Sequence, residues 1–191
     1  MVETITPVVH GTRRRFAAAV AMHTAGSTLS AAVLGVLLGG AGAALGLEWD
    51  AAGIAVIVVV GAVYTAREAF GLRVPLPQLR RQVPEWWRTF FSPRTAAVLY
   101  GLGLGAGFFT YLSFGTFAAV AAAALTSGDP FVGAALCAPF GAARGVAVMV
   151  AANPISIDRL EATALTRLPR ATNAAALAVL TGVSGAALLV S

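Results

Sequence analysis

The chain has 191 residues, 58% of them hydrophobic and only 11% charged, whereas soluble domains carry roughly a quarter charged residues. No polar stretch is long enough to build a separate soluble catalytic domain, so a membrane domain is expected. The net charge of +5 does not indicate nucleic-acid binding, because the arginines lie between apolar runs, where charge orients a membrane protein.

Residues 1–15 form a basic tail ending in Arg13, Arg14 and Arg15. The arginines before an apolar run resemble a twin-arginine export signal. A cleaved signal has an apolar region of only about 7–15 residues, and the run over 16–47 is about twice as long, so it is expected to be a retained first span. Within it, His23, Ser27 and Ser30 fall at i, i+4 and i+7 and share one helix face. A histidine inside a membrane titrates near neutrality and is a candidate for function. Its alternative role is a hydrogen bond to a neighbouring helix.

A second span is expected over 51–66. The segment 68–94 follows, with LRVPLPQLRRQVPEWWRTFFSPR carrying four prolines and five arginines, and it cannot cross a bilayer. Aromatics beside arginines in PEWWRTFFSP read as an anchor at the cytoplasmic interface. With Arg80 and Arg81, the same stretch could hold anionic lipid or a partner.

The third span covers 95–126. Its GLGLGAG, residues 101–107, lacks the spacing of a phosphate loop. Gly101 with Gly105, and Gly103 with Gly107, form small-xxx-small pairs that let helices approach closely. Together these glycines also weaken the helix and predict a hinge. Thr110, Ser113 and Thr116 follow as a polar stripe that should face protein or a cavity.

The fourth span, 130–152, contains Cys137, Pro139 and Arg144. On a helical projection, Gly133, Cys137, Gly141 and Arg144 lie within about 40° of one another. Arg144 sits about 13 Å inside the cytoplasmic end of that span. No acidic residue is expected within any span, so the guanidinium must snorkel, bond to carbonyls and hydroxyls, or meet an anionic ligand. Pro139 frees a carbonyl in the preceding turn. A fifth span covers 173–191.

Every arginine-rich loop falls on one side of the membrane if there are five spans. The two remaining loops carry Glu48, Asp50 and Asp129 and no arginine. The expectation is therefore an all-α, polytopic transmembrane bundle over 16–191, multi-pass in the inner (cytoplasmic) membrane, with the N-terminus cytoplasmic and the C-terminus outside. All thirteen basic residues are arginine, which with the Ala, Gly and Val content suggests a GC-rich bacterial genome. Shifted by about 80 residues, Gly35, Leu45, Gly53 and Gly61 meet Gly115, Leu125, Gly133 and Gly141, as a duplicated two-helix unit would.

The pattern GLGLGAGFFTYLSFGTF, an acidic turn, and a span with Cys137 and Pro139 resembles the DsbD/CcdA membrane domains of the LysE-type transporter superfamily. The resemblance covers residues 96–150. That family passes reducing equivalents through a pair of cysteines, one in each inverted three-helix half. This chain has one cysteine, so the resemblance implies a transporter-like scaffold without the redox activity.

Two functions follow. The first is transport or binding of a small polar or anionic solute, with Arg144, His23, Thr110, Ser113 and Thr116 lining the path. Gly101, Gly103, Gly105, Gly107 and Pro139 would supply hinge and packing. The second is a non-catalytic membrane subunit or assembly factor that packs against partner helices. No acid pair, histidine cluster or nucleophile–base arrangement suggests an enzyme, and no cofactor or metal is expected. The expected partners are the lipid bilayer and either a second copy or another membrane protein.

Overall fold

The computed structural model describes residues 12–77, 86–107, 115–151 and 162–190, and among these all regular structure is helical. In chain order the helices are α1 (Arg13–Ala44), α2 (Ala51–Phe70), the single turn α3 (Trp87–Phe90), α4 (Pro93–Gly105), α5 (Thr116–Thr126), α6 (Pro130–Ala151) and α7 (Ala162–Val190). Among the described residues, three stretches are long and apolar enough to cross a membrane: Arg13–Ala44, Ala51–Phe70 and Pro130–Ala147. Arg13, Arg14 and Arg15 belong to the first turn of α1, and Arg167 and Arg170 lie on α7.

Local chemistry explains where the helices start and stop. Asp50 caps α2, its carboxylate accepting from the Gly53 N–H at 2.8 Å. Asp129 does the same for α6, accepting from the N–H groups of Phe131 at 2.6 Å and Val132 at 3.1 Å, with Pro130 at the first helical position. One acidic residue of each short turn, Asp50 and Asp129, is therefore a helix cap. Asp129→Ala is expected to cost about 1 kcal/mol, read as an earlier midpoint when the protein is unfolded in mixed detergent micelles. α2 ends at Gly71, whose φ of 70° closes the helix in the left-handed region.

Residues 95–126 hold two helices, α4 of 13 residues and α5 of 11. Each is shorter than the roughly 20 residues a crossing requires. α4 gives out after Gly105, and Gly107 adopts a φ of 51°.

The chain divides into two compact units. The first takes in Met1–Ala32, Gln78–Tyr111 and Ala138–Glu161, and the second Val33–Pro77, Leu112–Cys137 and Ala162–Ser191.

In the first unit, α1 and α4 run parallel. Val20 and Ala97 are buried together at their N-terminal ends, and Ser30 meets Leu102 further along. α6 runs antiparallel to α1, with Gly145 against Thr24 and Gly141 against Ser27 and Ala31.

In the second unit, α2 packs along α7 and α5. α1 and α6 are again antiparallel, and close enough that a Cβ on Gly35 would strike the Gly133 carbonyl, and one on Gly133 the Gly35 carbonyl. The positions paired in the supposed repeat meet unlike neighbours. Gly115 lies against the Tyr64 ring, whereas Gly35 lies against Gly133.

Burial departs from that of a soluble protein, with polar groups inside and many large aliphatic side chains exposed. On α1, His23 and Ser27 are 1% and 0% exposed, while Leu29 and Leu37 are 60% and 64% exposed. Val59 on α2 and Val183 on α7 are likewise exposed. Polar groups inside and aliphatic groups outside are what a lipid solvent selects, because there every polar group must find its partner within the protein. This is a membrane protein.

Candidate functional site

The polar centre of the first unit lies on the α1 face that carries His23, Ser27 and Ser30. His23 Nδ1–H donates to the Ala97 carbonyl at 3.2 Å, which sets the tautomer, and Nε2 has no hydrogen-bond partner among the described residues. Ser27 donates to the Gly141 carbonyl at 2.8 Å, and Ser30 to the Leu102 carbonyl at 2.7 Å. All three side chains thus bond to backbone carbonyls of neighbouring helices. Such bonds join helices in a membrane at about 0.6 kcal/mol on average and up to ~1.7 kcal/mol.

Glycines make the close approach possible. A Cβ on Gly101 would overlap the His23 carbonyl, one on Gly105 the Ser27 carbonyl, and one on Gly141 would crowd Ser27 and Ala31. Ser27→Ala is therefore expected to lose about 1 kcal/mol, measurable by denaturation in micelles, and to leave the helix content unchanged.

Arg144, half-buried, lies in this unit with its guanidinium carbon 5.7 Å from the centroid of the Phe140 ring. Phe140 precedes it by four residues, so the two stack along one face of α6. The FGAAR spacing carries this aromatic partner in the sequence itself. Pro139 lies on the exposed side of α6, which continues on both sides of it. Cys137 is buried in the second unit. The lane of small residues on α6 is a packing surface: Gly133 contacts Gly35, and Gly141 contacts Ser27.

Of the predicted polar stripe, Thr110 and Ser113 lie outside the described residues. Thr116 belongs to the second unit, where its hydroxyl donates to Asn173 Oδ1 at 2.6 Å. Gly101 and Gly105 form the α4 surface against α1, and Gly103 and Gly107 fall at its C-terminal end.

The second unit contains a polar cluster that the sequence did not disclose. Glu68 is 6% exposed, forms an ion pair with Arg67 and accepts from the Gly115 N–H at 3.1 Å. Its carboxylate therefore sits at the positive end of α5, where a helix dipole favours an anion. Arg67 Nε also donates to the Val74 carbonyl and Tyr64 to the Pro75 carbonyl, each at 3.0 Å, which folds the segment after α2 back onto that helix. At the other end of α2, Trp49 Nε1 donates to the Ala123 carbonyl at 3.1 Å. Among the described residues no group of three His, Cys, Asp or Glu side chains is placed to hold a metal ion.

These contacts join helices to each other, and comparison with known proteins bears on what the joined bundle is for. The chain is similar to methylamine utilization protein MauF. It is 38% identical to that of Paracoccus versutus over 138 residues, covering 71% of this chain and 50% of that protein. For Paracoccus denitrificans the figures are 38% over 143 residues, 74% and 52%. For Methylorubrum extorquens they are 36% over 171 residues, 88% and 59%. The chain spans about half the length of the curated relatives it matches. No family model matches the sequence, and no solved structure matches it.

Two expectations are corrected by these relatives. The DsbD/CcdA resemblance does not hold, because the relatives are MauF proteins. Two of the glycines that suggested it, Gly101 and Gly105, serve the close packing of α4 on α1. The transporter reading also gives way, since the relatives are methylamine utilization proteins and favour the alternative of a membrane subunit or assembly factor. In structural terms, of the residues assigned to a solute path, His23 bonds the Ala97 backbone carbonyl and Thr116 the Asn173 side chain.

Proposed function

We propose that this chain is a non-catalytic membrane component of a methylamine utilization system, acting as an assembly factor or subunit through a partner membrane protein. The observation that carries this reading is the similarity to MauF over 71–88% of the chain. The geometry supports it, because the interior polar side chains of α1 serve as links between helices.

In this reading the bundle spans the bacterial inner membrane five times, with the N-terminus cytoplasmic. α4 and α5 together supply the third crossing, and Gly103, Gly105 and Gly107 provide its hinge. The distribution of arginine against Glu48, Asp50 and Asp129 supports that orientation. Arg144, His23 and Thr116 then serve helix packing and partner contact.

Deletion of the gene in its own host tests the reading. Growth with methylamine as the sole nitrogen or carbon source is expected to fail and to return with the gene supplied in trans. Growth on other substrates should be unaffected. Unimpaired growth on methylamine would exclude the role.

A further inference from the structure

The first unit carries positive charge at one end, and none of its described residues is acidic. α1 and α4 run parallel there, so two helix N-termini lie together. Arg13, Arg14 and Arg15 occupy the first turn of α1, Arg94 lies in the first turn of α4, and neither first turn holds an acidic residue. All four arginines are exposed. A helix N-terminus favours anions and disfavours cations, so these arginines add to the local positive potential. No Asp or Glu occurs among the described residues of this unit.

The same end carries uncovered aromatic surface. Trp86, Trp87, Phe90 and Phe91 pack against one another edge-to-face or tilted, and Trp87 rests 5.9 Å from Tyr100 on α4. Trp86 and Phe90 nevertheless remain 56% and 77% exposed. Exposed indole and phenyl rings beside guanidinium groups, where apolar helices end, suit the boundary between hydrocarbon and headgroups.

We infer that this end of the first unit binds the headgroups of anionic phospholipids, with Arg13, Arg14, Arg15 and Arg94 on the phosphates and Trp86 and Phe90 in the acyl boundary below them. The occupant is a lipid rather than a second copy, because a second copy would oppose arginine to arginine. The charge that disfavours the two helix starts within the protein is balanced by the leaflet.

The test uses the full chain with Trp49→Phe, which leaves Trp86 and Trp87 as its tryptophans, in vesicles of phosphatidylcholine and phosphatidylglycerol. Bromine is placed on the acyl chains of one lipid or the other at equal mole fraction. Brominated phosphatidylglycerol is expected to quench the tryptophan emission several-fold more than brominated phosphatidylcholine. Replacing the four arginines by glutamine should remove that excess and leave quenching by brominated phosphatidylcholine in place. Equal quenching by the two lipids, or no quenching by either, overturns the proposal, the latter indicating a protein cover. Spin-labelled lipids on the unsubstituted protein give the same answer without a variant. The motionally restricted fraction should be larger for phosphatidylglycerol, and equal fractions overturn the inference.

Discussion

Gly35→Val is expected to destabilise the bundle by at least about 2–3 kcal/mol, because the new side chain would occupy the space now held by the Gly133 carbonyl. No flexible side-chain end is there to swing aside. The atoms in the way are backbone, so the two helix segments must separate and the contacts along them weaken. In a bilayer this loss is not offset by the hydrophobic effect, since lipid tails solvate aliphatic groups as well as protein does. Gly182→Val on α7 is the matched control. A Cβ there meets nothing within 4 Å, and its effect should stay within about 0.5 kcal/mol. Denaturant titration in mixed micelles, followed by circular dichroism, reads both. Equal behaviour of the two variants would mean that the close contact of α1 and α6 is not what holds them.

The second large effect is expected at Glu68. Glu68→Ala should cost about 2–3 kcal/mol, the usual loss when charged groups are left without their hydrogen-bonding partner. Two groups lose a partner: the Arg67 guanidinium, which keeps its bond to the Val74 carbonyl, and the Gly115 N–H at the start of α5. Glu68→Gln keeps an acceptor for Gly115 and gives up only the ion pair, so it should recover part of the loss. Arg67 is partly exposed and can turn to water, which limits the cost of losing that pair. Proteolysis of the segment after α2 offers a second readout. Arg67 and Tyr64 hold residues 74–75 by their carbonyls, and freeing Arg67 from Glu68 should make that backbone easier to cleave. If Glu68→Ala unfolds no earlier than the parent protein, the carboxylate is not a cap of α5.

How far the sequence reaches can be judged residue by residue. The membrane class follows from composition, because apolar residues at this density cannot be buried in a chain of this size. The shared face of His23, Ser27 and Ser30 was legible in their spacing, and so was the capacity of Gly101 and Gly105 for close approach. Both are properties of a single helix. Their partners were not legible, since Ala97, Leu102 and Gly141 contribute backbone carbonyls, which every residue has. Glu68 escaped notice for a related reason. Its partner is an N–H 47 residues away, and nothing in the types of the two residues links them.

The apolar length of 95–126 suggested one long helix. Hydropathy is blind to backbone geometry, and the chain leaves the helix near Gly107 without losing its apolar character. The aromatic and glycine pattern over 96–150 suggested the wrong relatives because close-packed membrane helices converge on the same spacings. Only similarity along most of the chain distinguished them.

We propose that the protein supports methylamine utilization as an assembled membrane component and does not carry the solute. The most direct test is the initial rate of isotopically labelled methylamine uptake in the deletion strain, measured alongside growth on methylamine. Uptake at the parental rate with growth abolished is the predicted result. Loss of uptake in proportion to loss of growth would contradict it.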